Sequence, residues 1–135
     1  MSLRTKSYVK GVKVSERHGA GEWMQERISS LILVPLTLWG LWSGWVLSGA
    51  GYDGALEWFR SPVNAVLLAI TVVASLWHMN MGLKVIVDDY IHKPASRNAI
   101  VGLIGLLCLI LAVASAFFIV RLALGSAPLP AGFGI

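Results

Sequence analysis

Residues 61–83, SPVNAVLLAITVVASLWHMNMGL, contain no Asp, Glu, Lys or Arg, yet they hold one ionisable side chain, His78. At about 1.5 Å per residue a helix of this length crosses the ~30 Å hydrocarbon core of a bilayer. Two further uncharged runs, 28–52 and 98–120, lie on either side and are long enough to do the same. Hydrophobic residues make up 56% of the 135 and charged residues 13%, against roughly 25% charged in a soluble domain. The fold class expected is an all-α membrane protein with three transmembrane helices, at about 27–48, 61–84 and 98–121, within one anchor domain over 22–125. A polar tail over 1–21 precedes this domain and a short tail over 126–135 follows it.

The basic residues are segregated. Arg4, Lys6, Lys10, Lys13, Arg17 and Arg27 precede the first span, and Lys84, Lys93 and Arg97 lie between the second and third. Only Arg60 and Arg121 fall on the other side. Excess Lys and Arg mark cytoplasmic segments, so the N-terminus and second loop are expected in the cytoplasm and the C-terminus on the opposite, periplasmic side. The high pI of about 9.6 is thereby read as topology, and no nucleic-acid partner is expected. The first 27 residues show no apolar stretch of signal-peptide type, so insertion is expected through the spans themselves.

Local signals refine the spans. Residues 1–21 lack an apolar period and are expected to be extended or disordered unless a partner orders them. EWMQER, 22–27, has helical propensity and extends the first span into the interface, with Trp23 at headgroup level. Pro35 is expected to kink that span. Trp39, Trp42 and Trp45 form a stripe read as an interfacial belt or packing surface. Residues 48–60 read as a turn followed by a short amphipathic segment. Ser61 and Pro62 suit an N-cap and first helical position, and Lys93-Pro94 should end the second helix. Gly102, Gly105, Ala112, Ala114, Ser115 and Ala116 would allow close helix contact along the third span. Cys108, the only cysteine, is read as a small packing residue. His18 and His92 lie in polar surroundings and are expected to be solvated.

An ionisable residue inside hydrocarbon marks a functional site by default, and imidazole is a common ligand of haem iron. From residue type and depth alone, His78 fits haem ligation, a proton relay or an interhelical hydrogen bond. An offset of eleven residues turns a helix by about 1100°, so Asp89 points within ~20° of His78 and ~16 Å further along the axis. Gly82, one turn toward Asp89, leaves a gap on that side, and Ser75, one turn the other way, can share a hydrogen bond. Asp89 and Tyr90 fall at the cytoplasmic interface, where acids and tyrosines are common. Arg27 at the mouth of the first span suits a snorkelling anchor. The sequence has no glycine-rich phosphate loop, no C-x-x-C pair and no nucleophile with a partnered base.

HMNMGLKVIVDDY, with its H-x10-D-Y spacing, resembles the second helix of the smaller hydrophobic membrane-anchor subunits of succinate dehydrogenase, respiratory complex II. EWMQERISSLILVPL is similar to the start of the first helix in that family, in bacterial and particularly alphaproteobacterial form. The resemblance covers about 22–120; the histidine-arginine and histidine-rich patterns of the second, sister membrane anchor are absent. It implies a multi-pass subunit of the bacterial inner membrane, non-catalytic by itself. Such a subunit docks an iron–sulfur subunit and a flavoprotein subunit on the bilayer and forms part of the ubiquinone site. By the same resemblance His78 would be one axial ligand of a haem b shared with the sister anchor. Tyr90 would donate to a quinone carbonyl and Asp89 would supply protons there, in preference to Asp88 because it shares the face of His78. Arg27 would contact a haem propionate or the quinone pocket. The alternatives are the anchor of a fumarate reductase, working in the reverse direction, and a small membrane interaction or assembly protein in which these residues only pack.

Overall fold

The computed structural model describes the backbone of residues 2–125 and the side chains of residues 20–125. Three helices follow in order: α1 (Ser2–Arg60), α2 (Pro62–Tyr90) and α3 (Pro94–Ala123). Each contains a stretch long and apolar enough to cross a membrane, and among the described residues there is no strand. The protein is a three-span, all-α membrane protein. The 126–135 tail lies outside the described residues. The 2–21 stretch, expected to be extended, is instead helical backbone continuous with the first span; once a helix is nucleated in the span, each residue added gains a hydrogen bond.

The termini of the elements follow proline chemistry. Pro62 opens α2 after an extended Ser61, and Pro94 opens α3 after an extended Lys93, because a residue before proline is pushed out of the α region. The second helix accordingly stops at Tyr90, a few residues before Lys93. Within α1 the expected kink at Pro35 is not where the backbone departs from helical torsions. That departure is at Gly51, with φ 67° and ψ −175°, a conformation open essentially to glycine alone.

The break at Gly51 reverses the chain. Trp39 and Trp58 would lie ~28 Å apart on a continuous helix, yet their rings stack with centroids 5.8 Å apart. The 52–60 segment therefore folds back along the first span, and an ideal Cβ on Gly54 would come within 2.9 Å of the Ala50 Cβ. Asn64 Nδ2 then donates to the Trp58 carbonyl at 3.2 Å, tying the segment to the start of α2. The tryptophan stripe thus divides: Trp39 packs on Trp58, whereas Trp42 and Trp45 stay exposed.

Helix α2 packs against both neighbours, and α1 touches α3 less. The buried side chains are few: Ser29, Leu36 and Ser43 on α1, Ala65, Ala74 and Val87 on α2, Cys108 and Ile119 on α3. Ser29, Leu36 and Ser43 recur every seven residues, which keeps one narrow stripe facing a partner helix. Small residues in that interface let the helices approach closely. A Cβ added to Gly102 or Gly105 would meet nothing within 4 Å, so neither position requires glycine for close helix contact within the chain. Most large apolar side chains are exposed, Leu31 and Trp45 at 73% and 77% among them, a surface that only lipid or another apolar chain satisfies.

Candidate functional site

His78 lies where α1 and α2 cross, toward the lysine- and arginine-rich end of the bundle. Its Nδ1 is 2.9 Å from Ser29 Oγ, and Ser29 is fully buried. Six residues further along α2, Lys84 Nζ meets Glu22 Oε1 at 2.5 Å, seven residues earlier on α1, as an antiparallel pair in fixed register requires. The Lys84–Glu22 bridge is substantially exposed and fixes geometry more than it stabilises. Ser75, the neighbour expected to share a hydrogen bond with the imidazole, is exposed, and Ser29 takes that place.

Two cavities flank the Ser29–His78 contact. On the membrane-interior side His78 lines an open groove of about 400 Å³ with Ser30, Leu33, Val34, Thr37 and Leu38. Toward the basic end a pocket of about 330 Å³ is lined by residues including Glu22, Glu26, Met81, Lys84 and Asp88. Gly82 has open space where a side chain would stand, leaving the gap beside His78 that its position on the helix calls for.

The other expected site residues are not gathered into these cavities. Tyr90 is 80% exposed and Asp89 is exposed beside it. Asp88 is engaged differently: its Oδ1 forms an exposed ion pair with Arg97 Nε at 3.4 Å, between the end of α2 and the start of α3. Among the described residues Asp89 has no such ion pair, and by helix geometry it shares the face of His78. Arg27 does not reach the imidazole; its guanidinium stacks over the Trp23 ring, 4.7 Å from the centroid. Seven residues separate Arg27 from Val34, so the two point within ~20° of each other, which puts Arg27 on the groove side of α1 toward the basic end. His92 is exposed and Cys108 buried, as their surroundings in the sequence lead one to expect; the His18 side chain lies outside the described residues.

The family model described as the succinate dehydrogenase/fumarate reductase transmembrane subunit matches residues 9–121. The chain belongs to this family. Among its relatives, the succinate dehydrogenase hydrophobic membrane anchor subunit of Rickettsia typhi is 30% identical over 100 residues, 74% of this chain and 80% of the relative. The protein of the same name in Rickettsia conorii is 30% identical over 101 residues, with the same two coverages. The succinate dehydrogenase membrane anchor subunit of Reclinomonas americana is 26% identical over 87 residues, 62% of this chain and 72% of the relative. No solved structure matches the chain. For a member of this transmembrane-subunit family, a polar contact buried between two spans is the natural place to look for function.

Ser29 is the site residue that sequence reasoning passed over. Its signal was present in EWMQERISSLI, where two hydroxyls follow Arg27. Choosing between Ser29 and Ser30 requires the register of α1 on α2, which the sequence does not print.

Proposed function

We propose that this chain is a membrane-anchor subunit of a succinate dehydrogenase in the bacterial inner membrane, holding one side of a haem b and part of a ubiquinone site. The observation that carries this reading is the contact of the fully buried Ser29 with His78 at the head of a groove, with Asp89-Tyr90 on the same helix. Family membership supplies the context.

The residues present fit a haem. With Nδ1 engaged by Ser29, Nε2 is the ring nitrogen free for iron, an orientation set by a neighbouring hydrogen bond as is usual for ligating histidines. The groove wall of Leu33, Val34 and Leu38 is apolar, as a macrocycle requires, and Arg27 stands on its cytoplasmic side for a propionate. His78 would hold the iron from this chain, and a second protein ligand would be supplied by the sister anchor. When bound, haem supplies a one-electron store within the membrane.

At the quinone site this chain's part is binding and proton delivery. The Tyr90 hydroxyl donates to a quinone carbonyl, an interaction that strengthens as the oxygen gains negative charge on reduction. Asp89, open to the aqueous phase, passes one proton to that oxygen. Electrons arrive from the iron–sulfur subunit, and two electrons with two protons convert quinone to quinol. Tyr90 is too exposed to enclose a ring by itself, so the sister anchor and the iron–sulfur subunit complete the pocket. Succinate oxidation is favoured over fumarate reduction by the names of the relatives.

The anchoring role is tested by deleting the chain and fractionating the cells. Succinate-dependent dye reduction should leave the membrane fraction for the soluble one, and return on complementation. Activity that stays on the membrane without the chain would rule the role out and favour a packing or assembly protein.

A further inference from the structure

Ser29 is fully buried, and its Oγ is 2.9 Å from the Glu26 carbonyl oxygen and 2.9 Å from His78 Nδ1. A serine hydroxyl has one proton to donate and two lone pairs to accept with. Were that proton aimed at His78, the Ser29 and Glu26 oxygens would face each other at 2.9 Å with no hydrogen between them, and the Ser29 hydroxyl is itself closed to water. The proton therefore lies toward Glu26, the back-bonded arrangement common for serine in a helix. Ser29 is left with a lone pair for His78, and Nδ1 must bring the hydrogen. A neutral imidazole carries one ring proton, so Nε2 is bare.

We infer that Ser29 is a positioning residue that holds His78 in the Nδ1–H tautomer, with Nε2 unprotonated and available at the groove. The device runs from the Glu26 carbonyl through the Ser29 hydroxyl to the imidazole, and joins α1 to α2 at the one fully buried side chain among the described residues. Its value to the haem rests on the proposed function; the tautomer is a property of the chain itself. A hydrogen bond from Nδ1–H raises the basicity of the other nitrogen and tunes a bound metal. Without an acceptor at residue 29, a ligated His78 is a weaker donor and favours reduced iron.

Two measurements test this separately. Nitrogen-15 NMR of the full-length, histidine-labelled chain in bilayers without haem should show the His78 Nδ1 protonated and Nε2 not, and Ser29→Ala should give a mixture of tautomers. An Nε2–H form prevailing in the unaltered chain would overturn the inference. In the assembled complex, Ser29→Ala should weaken haem retention roughly 10- to 100-fold and raise the haem midpoint potential. Ser43→Ala, which removes the other buried serine of the stripe, should do neither. Unchanged potential and retention in Ser29→Ala would overturn the positioning role. Haem retained in full by His78→Ala would instead defeat the ligand reading, with the NMR result still deciding the tautomer.

Discussion

At the scale of single residues the claim is about pairing. His78 stands out in the sequence because a lone imidazole inside an uncharged run has no cheap explanation. Its partner does not stand out, since serines are common in membrane helices and only the antiparallel register, with Lys84 on Glu22, selects Ser29. Asp88 and Asp89 are likewise adjacent letters until the Arg97 contact separates them. Tyr90→Phe removes the hydroxyl proposed to donate to the quinone while sparing the fold of so exposed a position. Ubiquinone reduction by the complex should fall ~10²-fold, as when one donor to a developing oxyanion is lost, with succinate-dependent reduction of a soluble dye unchanged. Quinone reduction at the original rate would exclude Tyr90 from the site. Lys84→Ala should shift the thermal midpoint of the complex little, because an exposed ion pair contributes at most ~1 kcal/mol.

At the scale of elements, the three spans were legible because hydrocarbon excludes charge and the runs 28–52, 61–83 and 98–120 contain none. Pro62 and Pro94 marked two helix starts for equally local reasons. The chain reversal was visible only as a turn. Glycines occur at 49, 51 and 54, and only the backbone identifies Gly51 as the residue with positive φ. Pro35 lies inside α1 with helical torsions, and the break in torsions falls at Gly51 instead. Gly51→Ala should cost about 1–3 kcal/mol, the strain of a side chain in that region, and undo the Trp39–Trp58 stack. The checks are a lowered thermal midpoint of the solubilised complex and a changed tryptophan emission. A Gly51→Ala variant as stable as the original would mean that the reversal does not depend on this torsion.

At the scale of the whole molecule, the chain is a component. Its exposed apolar faces and a groove open along one side require neighbours, whose contributions no single sequence can display, and Tyr90 stands 80% exposed at the end of α2. Charge asymmetry, nine basic residues against two, predicts an N-terminus in the cytoplasm. In intact spheroplasts, a membrane-impermeant maleimide should therefore label Ser126→Cys but not Ser7→Cys; the opposite pattern would invert the topology. The central claim is that this chain holds haem within a succinate-oxidising assembly, and it is tested most directly by purifying the complex through this chain in mild detergent and recording its dithionite-reduced spectrum. The account predicts a b-type haem band together with succinate-reducible flavin, and loss of that band in His78→Ala with the soluble subunits still bound. A colourless eluate lacking the flavoprotein and iron–sulfur subunits, or an undiminished haem band in His78→Ala, would contradict it.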